Sequence, residues 1–173
     1  IWSVDPLDGT KEFIKRNGEF TINIALVENG MPILGVLIVP FFNETYYAVK
    51  GHGAFFEKDN TATKLQCSSY HKNDEGLKIP CSNSHINKDT LDYIHSYNKP
   101  EMIKIGSALK FMLIAKGEAD LYPRIAPTME WDTAAPQIIV EEAGGQVLNF
   151  ETMLPMIYNK ESLVNPGFLA KSI

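Results

Sequence analysis

The dipeptide Asn29-Gly30 separates two strand-like segments, residues 20–28 and residues 33–39, and this arrangement strongly constrains the fold. Residues 20–28 partly alternate between apolar and polar side chains, and residues 33–39 are continuously apolar, so both are predicted to be β-strands. Asparagine and glycine tolerate the positive φ angles of a tight hairpin turn. We therefore predict an antiparallel hairpin, whose loop Met31-Pro32 lengthens beyond the minimum.

Two further strands, at residues 44–49 and 54–57, are predicted before a polar stretch at residues 59–75. This polar stretch is predicted to be either a poorly packed connection or an edge strand. Beyond it, the pattern predicts strands at residues 77–82, 102–105, 119–122 and 146–150, and helices at residues 88–97, 108–116 and 133–143. Gly144-Gly145 should end the last helix, because glycine readily adopts the left-handed conformation found there.

These elements predict a chain in two parts. Residues 1–75 would form an antiparallel sheet part, and residues 76–173, in which strands alternate with helices, would form an α/β part. A boundary near Gly76 would separate the two. The fold class predicted is therefore α/β or α+β.

Composition excludes several classes of partner. The 173 residues carry 16 Lys and Arg against 21 Asp and Glu, for a net charge of -5. Binding to a polynucleotide requires clustered cations, which this chain lacks, whereas a small anion in one pocket is allowed. The longest apolar run, residues 33–42, is too short to span a membrane. Cys67 and Cys81 have no CxxC spacing, which favours a reducing compartment, although a bond between them stays open.

An acidic motif, Asp5-Pro6-Leu7-Asp8-Gly9-Thr10, follows a short apolar strand and is predicted to form a tight turn. Two nearby carboxylates and the Leu7 carbonyl offer the oxygen ligands that Mg²⁺ prefers. If a helical turn opens here, the N–H groups of Gly9 and Thr10 would form an anion-binding nest. The alternative is a plain turn, in which the aspartates bond only to the backbone.

Asp132 is the candidate third ligand. It precedes the helix predicted at residues 133–143, where it would be the N-cap and would be stabilised by the helix dipole. Taken alone, an ordinary cap explains this residue, but with Asp5 and Asp8 it would complete a three-carboxylate site. Pro136 would then fall in the first helical turn, where proline is tolerated.

Two motifs resemble the signatures of the inositol monophosphatase superfamily of Mg²⁺-dependent, lithium-sensitive phosphatases. They are residues 2–10, with Trp2, Asp5 and Asp8, and residues 131–145, with Trp131-Asp132 and Gly144-Gly145. The resemblance implies a layered α/β/α/β/α sugar-phosphatase-like fold. Because the sequence starts at Ile1, close to the first motif, we expect an N-terminal helical segment to be missing.

Within the superfamily, residues 11–20, 106–110, 122–124 and 165–168 resemble the 3′(2′),5′-bisphosphate nucleotidase branch of the bacterial CysQ type. This resemblance implies hydrolysis of the 3′-phosphate of adenosine 3′,5′-bisphosphate to AMP, which clears a by-product of sulfate assimilation. It also implies a cytoplasmic location, with peripheral association at the inner membrane as the alternative. An inositol monophosphatase is the second candidate.

The resemblance implies the following site residues. The metal ligands would be Asp5, Leu7, Asp8 and Asp132, and the catalytic residues would be Asp8 and Thr10. The substrate-binding residues would be Gly9, Thr10, Ser107, Lys110, Arg124 and Asp132, with Ser107 capping the helix whose first turn carries Lys110. Ser84 and His85 resemble a segment that lines the nucleotide pocket.

The family also carries, before the first motif, a glutamate of the metal site and an acidic partner of the threonine, and neither has a counterpart here. A catalytically silent phosphate-binding fragment is therefore a further alternative. A sheet face left uncovered by a missing segment would make the isolated chain poorly soluble or oligomeric. The sequence leaves the oligomeric state of the protein open.

Overall fold

The structure is a computed structural model that describes residues 1–82 and 86–173. The first part forms a six-stranded sheet in which each strand pairs antiparallel with the next along the chain. Its strands are β1 (Trp2–Asp8), β2 (Thr21–Glu28), β3 (Met31–Val39), β4 (Glu44–Val49), β5 (Gly53–Lys58) and β6 (Thr61–Lys64). Helix α1 (Thr10–Lys15) connects β1 to β2, and a 3₁₀ turn (Pro40–Phe42) connects β3 to β4.

The hairpin between β2 and β3 is confirmed, but its loop is shorter than predicted. Glu28 pairs with Met31, so Asn29 and Gly30 alone form the turn, with φ angles of 50° and 78°. Pro32 therefore belongs to β3, where it lies beside an irregularity in the pairing with β2. The polar stretch after β5 begins as the edge strand β6, whose four residues are all exposed.

The second part mixes short strands with the longer helices of the chain. A parallel pair joins β7 to β8, a three-stranded antiparallel sheet has the order β11-β13-β9, and β10 pairs with β12. The strands are β7 (Lys78–Cys81), β8 (Glu101–Lys104), β9 (Leu121–Arg124), β10 (Thr128–Met129), β11 (Gln146–Asn149), β12 (Val164–Asn165) and β13 (Phe168–Lys171). The helices are α2 (Lys88–His95), α3 (Leu109–Ala115) and α4 (Glu130–Glu142).

Most elements of this part agree with the predictions to within a few residues. Strands β10, β12 and β13 were not predicted, and β10 and β12 are too short, at two residues each, to show a period. Gly144 follows α4 with a φ of 93°, which confirms the predicted helix end. None of the helices formed by the described residues combines the length and the apolar character that a membrane crossing requires.

Helix α4 packs directly on the six-stranded sheet, and this packing positions the functional site. A Cβ atom on Gly35 of β3 would lie only 2.5 Å from Ile138 Cγ2 and 2.6 Å from the Ala135 carbonyl oxygen. Glycine is therefore needed at this position for the helix to approach the strand. The central residues of α4 and the facing strand residues are almost fully buried in the main core. The first turn of α4 consequently lies beside β1 and β2.

The opposite face of the sheet is apolar and open near its edge strand. Trp2 and Val4 of β1 are 61% and 51% exposed, and Ile22 and Ile24 of β2 are half-buried. Self-association of the isolated chain through such a face stays a prediction. The division at Gly76 also stays a prediction, while the main core draws buried residues from both sides of that position.

Candidate metal centre and the adjoining cavity

Residues 5–8 of the acidic motif belong to strand β1 and do not form the predicted tight turn. Asp5 pairs with Asn23 and Asp8 pairs with Thr21, so β1 contains one more residue than β2 over this stretch. Residues three apart in a regular strand face opposite sides of the sheet. The bulge shifts the register by one residue and therefore places both carboxylates on the buried side, where Asn23 and Thr21 lie.

Asp132 reaches the same place from α4. The helix begins three residues earlier than predicted, with Met129 as its N-cap, so Asp132 is the third helical residue and not the cap. Its Oδ2 accepts a hydrogen bond from the Met129 N–H at 2.8 Å, as in a capping box. Pro136 accordingly lies in the helix interior and not in the first turn as predicted. Because proline has no N–H, it leaves the Asp132 carbonyl without its usual helical partner.

The structure confirms that these three aspartates converge. One carboxylate oxygen from each of Asp5, Asp8 and Asp132 lies within 4.8 Å of the others, and all three residues are half-buried. Among the described residues, these three aspartates are the acidic side chains that lie close enough together to hold a metal ion. An all-oxygen donor set of this kind fits a hard divalent cation.

Backbone N–H groups fix the orientation of the two β1 carboxylates. The Leu7 N–H donates to Asp5 Oδ1 at 3.0 Å, and the Ala108 N–H donates to Asp8 Oδ2 at 2.6 Å. The Thr21 hydroxyl also donates to Asp8 Oδ2, at 3.3 Å. Residue 21 was not predicted to belong to the site, although a polar residue on the buried side of a strand is a signal for such a role. The Leu7 carbonyl as a ligand stays a prediction.

The cluster is electrostatically costly in the absence of a cation. Burial and, to a smaller extent, the nearby Asp8 and Asp5 carboxylates raise the pKa of Asp132 to about 6, although the Met129 hydrogen bond opposes this shift. Burial also raises the pKa of Asp8, with Lys110 opposing and Asp5 adding to the shift. Both shifts show that the ionised carboxylates are disfavoured here, chiefly because they are buried and in addition because their neighbours are negatively charged. A divalent cation would remove this penalty, so the residues present fit a metal ion.

A cavity of about 150 Å³ adjoins the cluster. It brings together six of the predicted site residues, namely Asp8, Gly9, Ser107, Lys110, Arg124 and Asp132. Sequence reasoning missed the other described residues of its wall, which are Glu12, Ser82, Ala108, Phe111, Tyr122, Thr128, Thr133 and Phe168. Thr10, at the start of α1, is exposed and lies outside this lining, as does Leu7. Ser84 and His85 lie outside the described residues.

Lys110 is the buried cation of the cavity. It is 5% exposed, and its Nζ donates to the carbonyl oxygens of Ser107 at 2.6 Å and Ile105 at 3.3 Å. Burial lowers its pKa to about 8, while the Asp8 carboxylate opposes this shift. Lys110 lies in the first turn of α3, as predicted, but the predicted cap is wrong: Ala108 is the N-cap, and Ser107 precedes it with a left-handed φ of 46°.

Arg124 and Gly9 complete the polar wall. The Nε of Arg124, on β9, is buried and has no hydrogen-bond partner among the described residues, so one donor of its guanidinium is unused. Gly9 has a φ of 86°, and a Cβ there would lie 3.0 Å from the Glu19 carbonyl oxygen and 3.1 Å from Ser107 Cβ. Helix α1 opens directly after Gly9, which is the helical turn that the anion-nest prediction requires.

Comparison with known proteins identifies the family. The profile of the inositol monophosphatase family matches residues 1–172. The chain belongs to the inositol monophosphatase family. Two curated relatives are both named 3′(2′),5′-bisphosphate nucleotidase CysQ. The one from Salmonella typhimurium is 43% identical over 167 residues, and the one from Escherichia coli is 44% identical over 168 residues. Each alignment covers 96% of this chain and 66% of the relative, so the chain spans just under two-thirds of their length.

Two solved structures confirm the mixed α and β fold. The crystal structure of CysQ from Bacteroides thetaiotaomicron is similar with a TM-score of 0.89 and 42% identity, covering 99% of this chain and 69% of that chain. SuhB from Mycobacterium tuberculosis, at 22% identity, has a TM-score of 0.79 over 99% of this chain and 66% of its own. The same fold is therefore found at 42% and at 22% sequence identity.

Proposed function

We propose that this protein is a Mg²⁺-dependent phosphatase that removes the 3′-phosphate of adenosine 3′,5′-bisphosphate to give AMP and phosphate. The observation that carries the proposal is the convergence of Asp5, Asp8 and Asp132 within 4.8 Å beside a cavity that contains Lys110 and Arg124. The names of the CysQ relatives support the nucleotide bisphosphate as substrate.

The proposed metal ligands are the carboxylates of Asp5, Asp8 and Asp132 and the carbonyl of Leu7. Divalent ions bound there would supply charge neutralisation and an activated water for an in-line displacement. The carboxylates themselves are pre-oriented by the N–H groups of Leu7, Ala108 and Met129, so little rearrangement is needed to receive an ion.

The reaction places distinct demands on the residues around the metal centre. Water attacks the phosphorus, the bond to the ribose 3′-oxygen breaks, and that oxygen takes up a proton. We assign Asp8 and the Thr10 hydroxyl to orientation of the water, and the N–H groups of Gly9 and Thr10 to the oxygens of the reacting phosphate. Asp132 would contact both the metal and the substrate.

A bisphosphate also needs a second anion site, which we assign to Ser107, Lys110 and Arg124. Lys110 uses two of its donors on the carbonyls of Ser107 and Ile105, and an ammonium group has three. Arg124 contributes a guanidinium whose buried Nε lacks a partner among the described residues. An anionic group in the cavity would satisfy both cations.

The proposed partner is a small-molecule nucleotide bisphosphate and not a polynucleotide, in keeping with the net charge of -5. We propose a cytoplasmic location, supported by the two cysteines, which are both free thiols. Peripheral association at the inner membrane is the alternative location.

A phosphate-release assay with the full-length protein tests the proposal. We expect Mg²⁺-dependent release from adenosine 3′,5′-bisphosphate, much slower release from inositol 1-phosphate, and a loss of at least about 100-fold in Asp8→Asn. Asp59→Asn is the matched control: it changes an exposed aspartate in a turn with a φ of 51°, which asparagine also tolerates, and should leave the rate unchanged. Binding without turnover, or full activity in Asp8→Asn, would refute the proposal.

A further inference from the structure

Asn23 of β2 is a buried polar side chain that the protein leaves unpartnered. It is 1% exposed, and neither its Oδ1 nor its Nδ2 has a hydrogen-bond partner among the described residues. Buried amides are normally hydrogen-bonded, because leaving both ends unsatisfied is costly. The comparably buried Asn165 shows the usual situation, since its Nδ2 donates to the Met129 carbonyl at 2.8 Å and to the Thr133 hydroxyl at 2.8 Å.

The register places Asn23 beside the metal ligands. It lies directly opposite Asp5, on the side of the sheet that the bulge in β1 gives to both aspartates. Two residues earlier on the same side, the Thr21 hydroxyl already donates to Asp8. Thr21 and Asn23, at alternate residues of β2, therefore place polar groups opposite Asp8 and Asp5.

The other neighbouring strand offers Asn23 no partner. On its other side, Asn23 pairs with Leu37 of β3, whose side chain is apolar and fully buried. An aliphatic residue at position 23 would suit these surroundings better than an amide. None of the described residues, including those of helix α4 on this side of the sheet, bonds to the amide, and the polar side chain opposite it is Asp5.

We propose that Asn23 is a positioning residue of the metal centre. In the ion-bound protein its Nδ2 donates to the Asp5 carboxylate and its Oδ1 accepts from a water on the ion. A carboxylate can only accept, so Asp5 alone cannot satisfy both ends of the amide. Mg²⁺ keeps several waters, which are strong donors, and supplies the missing half. This inference rests on the metal site of the proposed function and adds a residue to it.

The experiment compares Mg²⁺ binding with stability in the full-length protein. Calorimetric titration with MgCl₂ gives the dissociation constant, and urea unfolding in EDTA gives the stability of the metal-free protein. For Asn23→Val we expect Mg²⁺ affinity to fall about 10-fold to 100-fold, which is usual for groups that orient metal ligands. Metal-free stability should be unchanged or higher, because the substitution removes two unsatisfied polar atoms. Asn23→Ala is measured in parallel, in case valine is too tightly packed.

Asn165→Val is the matched control, because it removes a buried asparagine whose amide is satisfied, and it should lower metal-free stability clearly. The inference would be overturned if the Asn23 variants bound Mg²⁺ as tightly as wild type. It would also be overturned if they lost as much metal-free stability as Asn165→Val, or if neither variant folded. If wild-type protein bound no Mg²⁺, the proposed metal centre itself would fail. If wild-type protein bound Mg²⁺ and the Asn23 variants bound it with the same affinity, only the role of Asn23 would be refuted.

Discussion

Helix α4 carries Asp132 in its first turn and Glu142 at its last residue, and these two carboxylates have different surroundings. At the C-terminal end, Glu142 accepts hydrogen bonds from the N–H groups of Gly51 and Gly53, each at 2.8 Å and one on each carboxylate oxygen. At the N-terminal end, Asp132 lies within 4.8 Å of two other carboxylates. Backbone donors thus satisfy the Glu142 carboxylate, whereas Asp132 is surrounded by like charges.

The helix dipole should favour the Asp132 carboxylate and disfavour the Glu142 carboxylate, so it does not by itself explain the difference. A carboxylate is stabilised near a helix N-terminus and destabilised near a C-terminus. Glu142 stands at the unfavourable end and is nevertheless held by backbone donors that clamp the turn between β4 and β5. The dipole favours Asp132, yet burial and its neighbours still raise its pKa. These contacts support a structural role for Glu142 and the proposed metal-binding role for Asp132.

Replacing Asp132 should produce the largest effect. In Asp132→Asn we expect phosphatase activity to fall by at least about 100-fold, since a metal ligand is lost. The unfolding free energy of the metal-free protein should be unchanged or higher, because asparagine still accepts from Met129 and a repulsive charge disappears. Parallel assays of activity and urea denaturation in EDTA measure both. An active variant would remove the distinction between the two helix ends.

Replacing Glu142 should give the opposite pattern at a smaller scale. In Glu142→Gln an amide NH₂ group would face a backbone N–H, so we expect a loss of about 1–3 kcal/mol in the unfolding free energy. The kcat of the folded protein should stay within about twofold of wild type, within the scatter of such comparisons. Glu161→Gln, at an exposed position, is the control. A stable Glu142→Gln protein with low activity would show that this end is functional as well.

A third, smaller effect concerns pH. Burial raises the pKa of Glu141 to about 7 from 4.5, with Glu142 adding to the shift and Gln137 and Lys50 opposing it. The folded state therefore binds this proton more tightly than the unfolded state, and its contribution to stability falls as pH rises between 4.5 and about 7. Below and above this window the contribution is flat.

Urea unfolding at several pH values tests this sign. Between pH 4.5 and about 7, the ionisation of Glu141 should lower the unfolding free energy of wild type, and Glu141→Gln should lack this contribution. The difference in unfolding free energy between the two proteins should therefore grow across this window. A constant difference would show that Glu141 ionises equally in both states.

The sequence predicted the residues of the metal cluster better than their local structure. Asp5, Asp8 and Asp132 were identified, but the motif was expected to be a turn. Residues 5–8 form a bulged strand instead, because the pairing of β1 with β2 overrides the turn preference of proline. The start of α4 was placed too late because Met129 is an unusual N-cap residue, so Asp132 was taken for the cap itself.

Contacts made across long sequence separations could not be predicted from local patterns. Nothing near Glu142 in the sequence indicates that Gly51 and Gly53 will donate to it, since the contact arises only when α4 lies on the sheet. Thr21 and Asn23 did leave a signal, because they interrupt an apolar strand at alternate positions. Their buried side became evident only once the register with Asp8 and Asp5 was known.

The central claim is that Asp5, Asp8 and Asp132 share a divalent ion. The most direct test is a crystal of the full-length protein soaked in MnCl₂, with diffraction data collected at the manganese absorption edge. We expect an anomalous peak in contact with oxygens of all three aspartates, and loss of this peak in Asp132→Asn. Ordered crystals with no peak at these residues, or with a peak that excludes Asp132, would contradict it.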